Sequence, residues 1–209
     1  WTLHVLYKPQ HSNISHYFHA FKAPDDPCWQ VEPVEVGHGI WNIASLAIDN
    51  NDTLHVAYRG PGATLGSVVI RHSWKSVNGP WQTEVAVAEP GGNPDITVDA
   101  AGTVHIAFTL GGQLRYTSNI SNAWTVEGIT IPGPFRQIRK VALAVSSSGN
   151  VHIVYEFLAS AGNGFDYVWK TASGAWTFDT IDAGDLGLID ISFAGLCLVP
   201  ILTPQAGDC

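Results

Sequence analysis

Thr53-Leu54-His55-Val56-Ala57-Tyr58 decides the reading of this chain. The stretch returns, varied, as Thr2-Leu3-His4-Val5-Leu6-Tyr7, as Thr103-Val104-His105-Ile106-Ala107-Phe108 and as Asn150-Val151-His152-Ile153-Val154-Tyr155. The copies stand 51, 50 and 47 residues apart, which marks a repeat protein. A second marker keeps step with the first. Trp29-Gln-Val-Glu32, Trp81-Gln-Thr-Glu84, Trp124-Thr-Val-Glu127 and Trp176-Thr-Phe-Asp179 each follow a repeat histidine by 19 to 26 residues. Two markers sharing one period are hard to obtain by chance.

Each unit carries four strand signals, A to D. The second repeat gives Ile43–Asp49, Leu54–Tyr58, Val68–Trp74 and Trp81–Val87. The third gives Asp95–Asp99, Val104–Thr109, Gln113–Ser118 and Trp124–Thr130. The fourth gives Val141–Ser146, Val151–Phe157, Phe165–Lys170 and Trp176–Asp182. Short turn-rich segments join A to B: Asp49–Asp52, Asp99–Gly102 and Ser146–Gly149. The first repeat opens on strand B, and its C and D signals are Ser15–Phe21 and Trp29–Val36. Its missing A signal is expected at the other end, in Ile189-Asp-Ile-Ser-Phe-Ala194.

The pattern resembles a β-propeller, a ring of four-stranded antiparallel blades. The expected fold is all-β and four-bladed, with the C-terminal strand completing the N-terminal blade and closing the ring. The whole of residues 1–209 is then one domain: blade 1 from 1–36 plus 189–195, blade 2 from 43–87, blade 3 from 95–130 and blade 4 from 141–182. A piece of a larger propeller is the alternative.

Composition agrees. Apolar residues at 45% suffice for a core, while charged residues at only 13% leave few of the usual helix formers. A net charge of −8 argues against nucleic acid or an anionic membrane as partner. No apolar run of about 18 residues is present to span a bilayer. The chain begins at Trp1 without a leader, and is taken as a mature secreted form. The sequons at Asn13, Asn51 and Asn119 fall in turns or loops, where a glycan is accommodated. Three cysteines fit the same compartment. Cys197 sits in an apolar run and reads as buried, leaving Cys28–Cys209 as the expected disulfide.

Residues shared by all blades specify the fold. His4, His55, His105 and His152 lie one strand out from the ring axis, too far apart to share a metal, and are read as bonding within their own blades. The four tryptophans are read as packing between blades or covering blade edges. Function is expected where the blades differ, on the face carrying the D–A and B–C loops. Ile131-Pro-Gly-Pro-Phe-Arg136-Gln-Ile-Arg139-Lys140 gathers three of the ten basic residues beside Phe135. Gly37–Asn42 adds His38 and Trp41, and strand ends add Tyr58, Arg59, Tyr155 and Phe157.

No nucleophile elbow, zinc motif, phosphate loop, dinucleotide fingerprint or sialidase Asp-box is found, so no cofactor or metal is expected. Loops of unlike length and chemistry suggest one pocket built jointly. Chemistry there would rest on shape, desolvation and hydrogen bonds. In general type the chain resembles the small fungal propellers that act as hetero-Diels–Alderases. The resemblance implies a terpenoid polyene held by Trp41, Tyr58, Phe135, Tyr155 and Phe157. It also implies a quinone-methide oxygen polarised by Arg59, Arg136, Arg139 or His38. The preferred reading is thus a cofactor-independent pericyclase acting on an apolar, aromatic small molecule. The alternative is a secreted propeller lectin whose ligand is a glycan.

Overall fold

The computed structural model describes residues 2–9, 17–34, 44–64, 66–160 and 162–181. Fifteen strands and no helix are found among them, so none of these residues forms a helix able to cross a membrane. The strands fall into four antiparallel sheets that follow the chain in order. The first holds β1 (Leu3–Tyr7), β2 (Phe18–Lys22) and β3 (Gln30–Pro33). The second holds β4 (Ala44–Ile48), β5 (Leu54–Pro61), β6 (Val68–Lys75) and β7 (Gln82–Val87). The third holds β8 (Gly92–Val98), β9 (Val104–Leu110), β10 (Gln113–Ser118) and β11 (Thr125–Gly128). The fourth holds β12 (Gln137–Val145), β13 (Val151–Ala159), β14 (Gly162–Lys170) and β15 (Thr177–Ile181). Each sheet is a meander of neighbouring strands, matching the repeat units read from the sequence. Ile189–Ala194, expected to complete the first sheet, lies outside the described residues, as do Asn13, His38, Trp41, Cys197 and Cys209.

The A–B turns share one geometry. Asp49, Asp99 and Ser146 donate their backbone N–H to the carbonyls of Thr53, Thr103 and Asn150 at 3.0, 3.0 and 2.9 Å. The Asp49 and Asp99 Oδ1 atoms accept the N–H groups of Thr53 and Thr103, each at 2.8 Å. The fourth residue of each turn is left-handed, with φ of 59° at Asp52, 83° at Gly102 and 77° at Gly149. Glycine takes that conformation without steric cost, and aspartate is among the few side chains that tolerate it.

The core lies between sheets. Leu6, Tyr17 and Val34 of the first sheet pack with Val56, Tyr58 and Trp81 of the second. Ala57, Ile70 and Val87 of the second meet Ile96, Ile106 and Phe108 of the third. Ala107, Leu114 and Tyr116 of the third meet Ile153, Tyr155 and Val168 of the fourth. The inner strands β4, β8 and β12 pack on one another in turn. Both faces of the middle sheets are therefore covered. This explains why the repeat strand is apolar at nearly every position rather than at alternate ones.

A polar joint recurs at the rim of every described interface. In the first sheet His4 Nδ1 meets His19 Nε2 at 2.8 Å, and His19 Nδ1 meets Glu32 Oε1 at 3.0 Å. The second sheet repeats this with His55, His72 and Glu84, both contacts being 3.0 Å. Tyrosine replaces the second histidine in the third and fourth sheets, as His105–Tyr116 and His152–Tyr167. The next sheet's tryptophan then bonds the carboxylate. Trp81 Nε1 donates to Glu32 at 3.1 Å, Trp124 to Glu84 at 3.0 Å and Trp176 to Glu127 at 3.2 Å. Each indole also packs edge-on against His19, His72 or Tyr116. Lys75 adds an ion pair to Glu32 at 2.5 Å and Lys170 one to Glu127 at 2.6 Å. The repeat histidines thus bond within their own sheets, and Trp81, Trp124 and Trp176 pack between sheets, while Trp29 is 39% exposed.

Three sequence expectations need adjustment. β12 begins at Gln137, so Arg139 and Lys140 lie in a strand rather than in a loop; a bulge between Ile138 and Lys140 accommodates the charged pair. β8 begins at Gly92, three residues before the expected Asp95, through a second register shift. Tyr58, expected to face the loops, is buried. Its ring packs edge-on to Tyr17 at 5.7 Å, and its hydroxyl contacts Ser73 and Thr83 Oγ atoms at 3.2 and 3.3 Å.

Candidate functional site

The site grows from one position in the repeat. On strand C, the residue paired with the end of the histidine motif is Arg71 opposite Tyr58, Arg115 opposite Phe108 and Asp166 opposite Tyr155. The scaffold is constant there and the chemistry changes. Asp166 is buried, and it salt-bridges to the Arg136 guanidinium. The same guanidinium lies 4.3 Å from the centre of the Phe157 ring. Tyr155 donates its hydroxyl to Asp166 Oδ2 at 3.4 Å. Burial, followed by the Asp166 charge, pushes the Tyr155 phenol well above its ordinary value. Asp166 Oδ1 is buried with no hydrogen-bond partner among the described residues.

Beside this cluster a cleft of about 140 Å³ opens between the third and fourth sheets. Gln113, Arg115, Thr130, Phe135 and Arg136 supply its ring and its polar groups, over a floor of Leu114, Ile129 and Ile138. Phe135 is 75% exposed at its edge. Arg115 donates to Gln113 Oε1 at 2.9 Å and to the Leu114 carbonyl at 3.2 Å, which fixes both planar side chains side by side. Gly133, with φ of 98°, turns the segment that carries Phe135 and Arg136.

Arg136, Phe135, Tyr155 and Phe157 therefore come together as one neighbourhood. Arg59 and Tyr58 belong to β5 in another sheet, Arg59 half-buried opposite Ile70. Arg139 is exposed at the β12 bulge, and its carbonyl accepts from Asn93. Arg136, expected to polarise a ligand oxygen, lines the cleft and is paired through its Nη1 with Asp166. Tyr155 is closed off in the core instead of lining a ligand surface. Arg115 and Asp166 were not singled out in the sequence because both fall inside predicted strands. Aligning the repeats on their histidines and reading down strand C would have exposed them. Asn51 is exposed in the β4–β5 turn, whereas Asn119 is half-buried and its Oδ1 accepts the Val104 N–H at 2.8 Å. Cys28 lies in the β2–β3 connection.

No family model and no curated protein matches the sequence. Solved structures do match the fold. A protein of unknown function from Dyadobacter fermentans aligns over 82% of this chain and 60% of its own, with a TM-score of 0.58 and 11% identity. The α-L-arabinanase of Penicillium chrysogenum, complexed with arabinobiose, aligns over 88% and 64%, with a TM-score of 0.57 and 15% identity. An ulvan lyase bound to a GlcA–Rha3S oligosaccharide aligns over 84% and 54%, with a TM-score of 0.50 and 14% identity. This chain thus spans about three fifths of the length of these structures. The likeness is one of propeller-type fold.

Proposed function

We propose that this chain is a carbohydrate-binding propeller whose ligand occupies the cleft between the third and fourth sheets. The observation that carries the reading is the exposed Phe135 ring set beside the planar Gln113 and Arg115 side chains. A sugar presents an apolar C–H face and a rim of vicinal hydroxyls. An aromatic platform flanked by fixed amide and guanidinium groups complements both. That two propeller-type structures hold oligosaccharides adds support for the fold as a sugar-binding scaffold. The cycloaddition reading gains no such support. Two of its aromatics, Tyr58 and Tyr155, are buried. The proposal includes a closed four-bladed ring with Ile189–Ala194 as the inner strand of the first blade. It also includes a secreted chain glycosylated at the exposed Asn51.

Calorimetric titration with arabino-oligosaccharides and with uronate-containing oligosaccharides tests it. Saturable binding is expected, weakened about tenfold or more by Phe135→Ala and by Arg115→Ala, since each removes about 1.4 kcal/mol or more of contact. Equal binding by wild type and both variants places the ligand elsewhere. No heat with any oligosaccharide overturns the reading.

A further inference from the structure

Resting on the carbohydrate reading of the cleft between the third and fourth sheets, we infer that its ligand is an acidic saccharide, whose uronate carboxylate is received by Arg115. The chain as a whole is acidic, with 18 Asp and Glu against 10 Lys and Arg. The cleft reverses that balance. Arg115 and Arg136 both line it, and among the described residues no Asp or Glu does. A pocket lined by one sign of charge on apolar walls raises the local concentration of ligands of the other sign.

The two guanidiniums differ in what answers their charge. Arg136 sits against Asp166, a buried carboxylate that does not line the cleft. Lys75 and Lys170, at the interfaces between sheets, are matched in the same way by Glu32 and Glu127. Arg115 has no carboxylate within ion-pair distance among the described residues. Its Nη2 donates to the Gln113 amide oxygen at 2.9 Å and its Nη1 to the Leu114 carbonyl at 3.2 Å, both neutral acceptors. These bonds hold the plane of the guanidinium and leave its charge without an anion. Each Nη keeps a second N–H for a ligand.

The backbone leaves room for this group. Arg115 pairs with Gly128 on β11, and a Cβ at that glycine would stand 3.4 Å from Nη1 and 3.6 Å from Cζ. A longer side chain there would contend with the guanidinium for the same space. A planar fork held in one orientation matches the two oxygens of a carboxylate, and such charge-assisted bonds are about twice as strong as neutral ones. Sugar hydroxyls alone would leave the Arg115 charge unanswered. A uronic acid supplies the carboxylate on the same ring whose C–H face lies on Phe135.

Calorimetric titration with matched pairs provides the test: glucuronate- and galacturonate-containing oligosaccharides, and the same oligosaccharides with each carboxyl reduced to the alcohol. The uronate form is expected to bind the wild-type chain about tenfold or more tightly than its reduced partner. Raising sodium chloride from about 0.05 M to about 0.5 M is expected to weaken the uronate form and leave the reduced form unchanged. Arg115→Gln keeps a planar amide without the charge, and is expected to bring the two forms to equal affinity at an unchanged urea midpoint. A reduced form that binds as tightly as the uronate, and loses affinity in Phe135→Ala, overturns the acidic-sugar inference and leaves the carbohydrate reading standing. A uronate preference that survives Arg115→Gln also overturns it, because the carboxylate is then received elsewhere. Heat from neither form overturns both.

Discussion

His72 shows how much one side chain is asked to do. It accepts a bond from or donates one to His55, contacts Glu84, stacks on Trp74 and receives the edge of Trp124. Burial lowers its pKa from 6.5 to about 4; the nearby His55 adds to the effect, and Glu84 only partly offsets it. His19, His55 and His105 are lowered as well, burial leading in each case. In the unfolded chain these imidazoles take up protons near 6.5. Between that value and about 4 the unfolded state binds more protons than the folded one, so acid favours unfolding. Stability is fully present above about pH 6.5 and declines as pH falls toward about 4. The carboxylates act lower down. At Asp49, burial alone would raise the pKa, but the Thr53 and Asn51 N–H groups and His55 outweigh it and hold the group below 3.8. Urea unfolding at about pH 7.5 and about pH 5 is expected to show a clear loss of stability at the lower value. Equal midpoints would show that these histidines are already charged in the folded protein at about pH 5.

At the scale of the element, the joint is the unit that repeats, and its worth divides between packing and one hydrogen bond. Trp124→Phe keeps most of the ring against His72 and removes only the Nε1 bond to Glu84. Because the Glu84 side chain is 41% exposed, that bond is screened, and its loss is expected to cost about 1 kcal/mol. Trp124→Ala also removes the packing and should cost roughly 2 kcal/mol or more. Equal losses in the two variants, read from denaturant midpoints, would show that ring packing contributes nothing. No loss in Trp124→Phe would show the same of the bond. The strands of this unit were legible in the sequence because turns, histidines and tryptophans recur in register. The exceptions have local causes. Arg139 and Lys140 look like loop residues beside Pro132 and Pro134, and only the bulge lets a strand carry them. Tyr58 looks like a mouth residue because its strand runs on toward a loop, but the neighbouring sheet's Tyr17 covers it. In the candidate site, Phe135 and Arg136 stood out in the sequence as an aromatic beside a basic cluster, and Phe157, which lies against Arg136, as a strand-end aromatic. It was not legible at Arg115 or Asp166, whose meaning depends on which sheet lies alongside.

Taken whole, the chain is a series of sheets whose stability resides in the interfaces between neighbours. In such a series the end sheets hold one interface each and open first, unless the ends are joined. The two arrangements respond differently to one substitution. Trp29 is in the first sheet, and in an open series Trp29→Ala disturbs that sheet alone. In a joined series it also uncovers His152, Val154 and Trp169 on the fourth sheet, far from the substitution in sequence. Hydrogen exchange followed by mass spectrometry resolves these cases. With the ends joined, wild-type β1 is protected nearly as well as β9, whose Ile106 and Phe108 are fully buried. Trp29→Ala is then expected to speed exchange in both β1 and β13–β14 while β5 and β9 keep their protection, each being held between two intact interfaces. Acceleration confined to β1–β3 would mean that Trp29 serves only its own sheet and that the fourth sheet's outer face is covered by something else. The same comparison separates assembly from ligand binding. The cleft at Phe135 lies between the third and fourth sheets, on an interface that Trp29→Ala leaves intact, so oligosaccharide affinity should survive a substitution that loosens both ends.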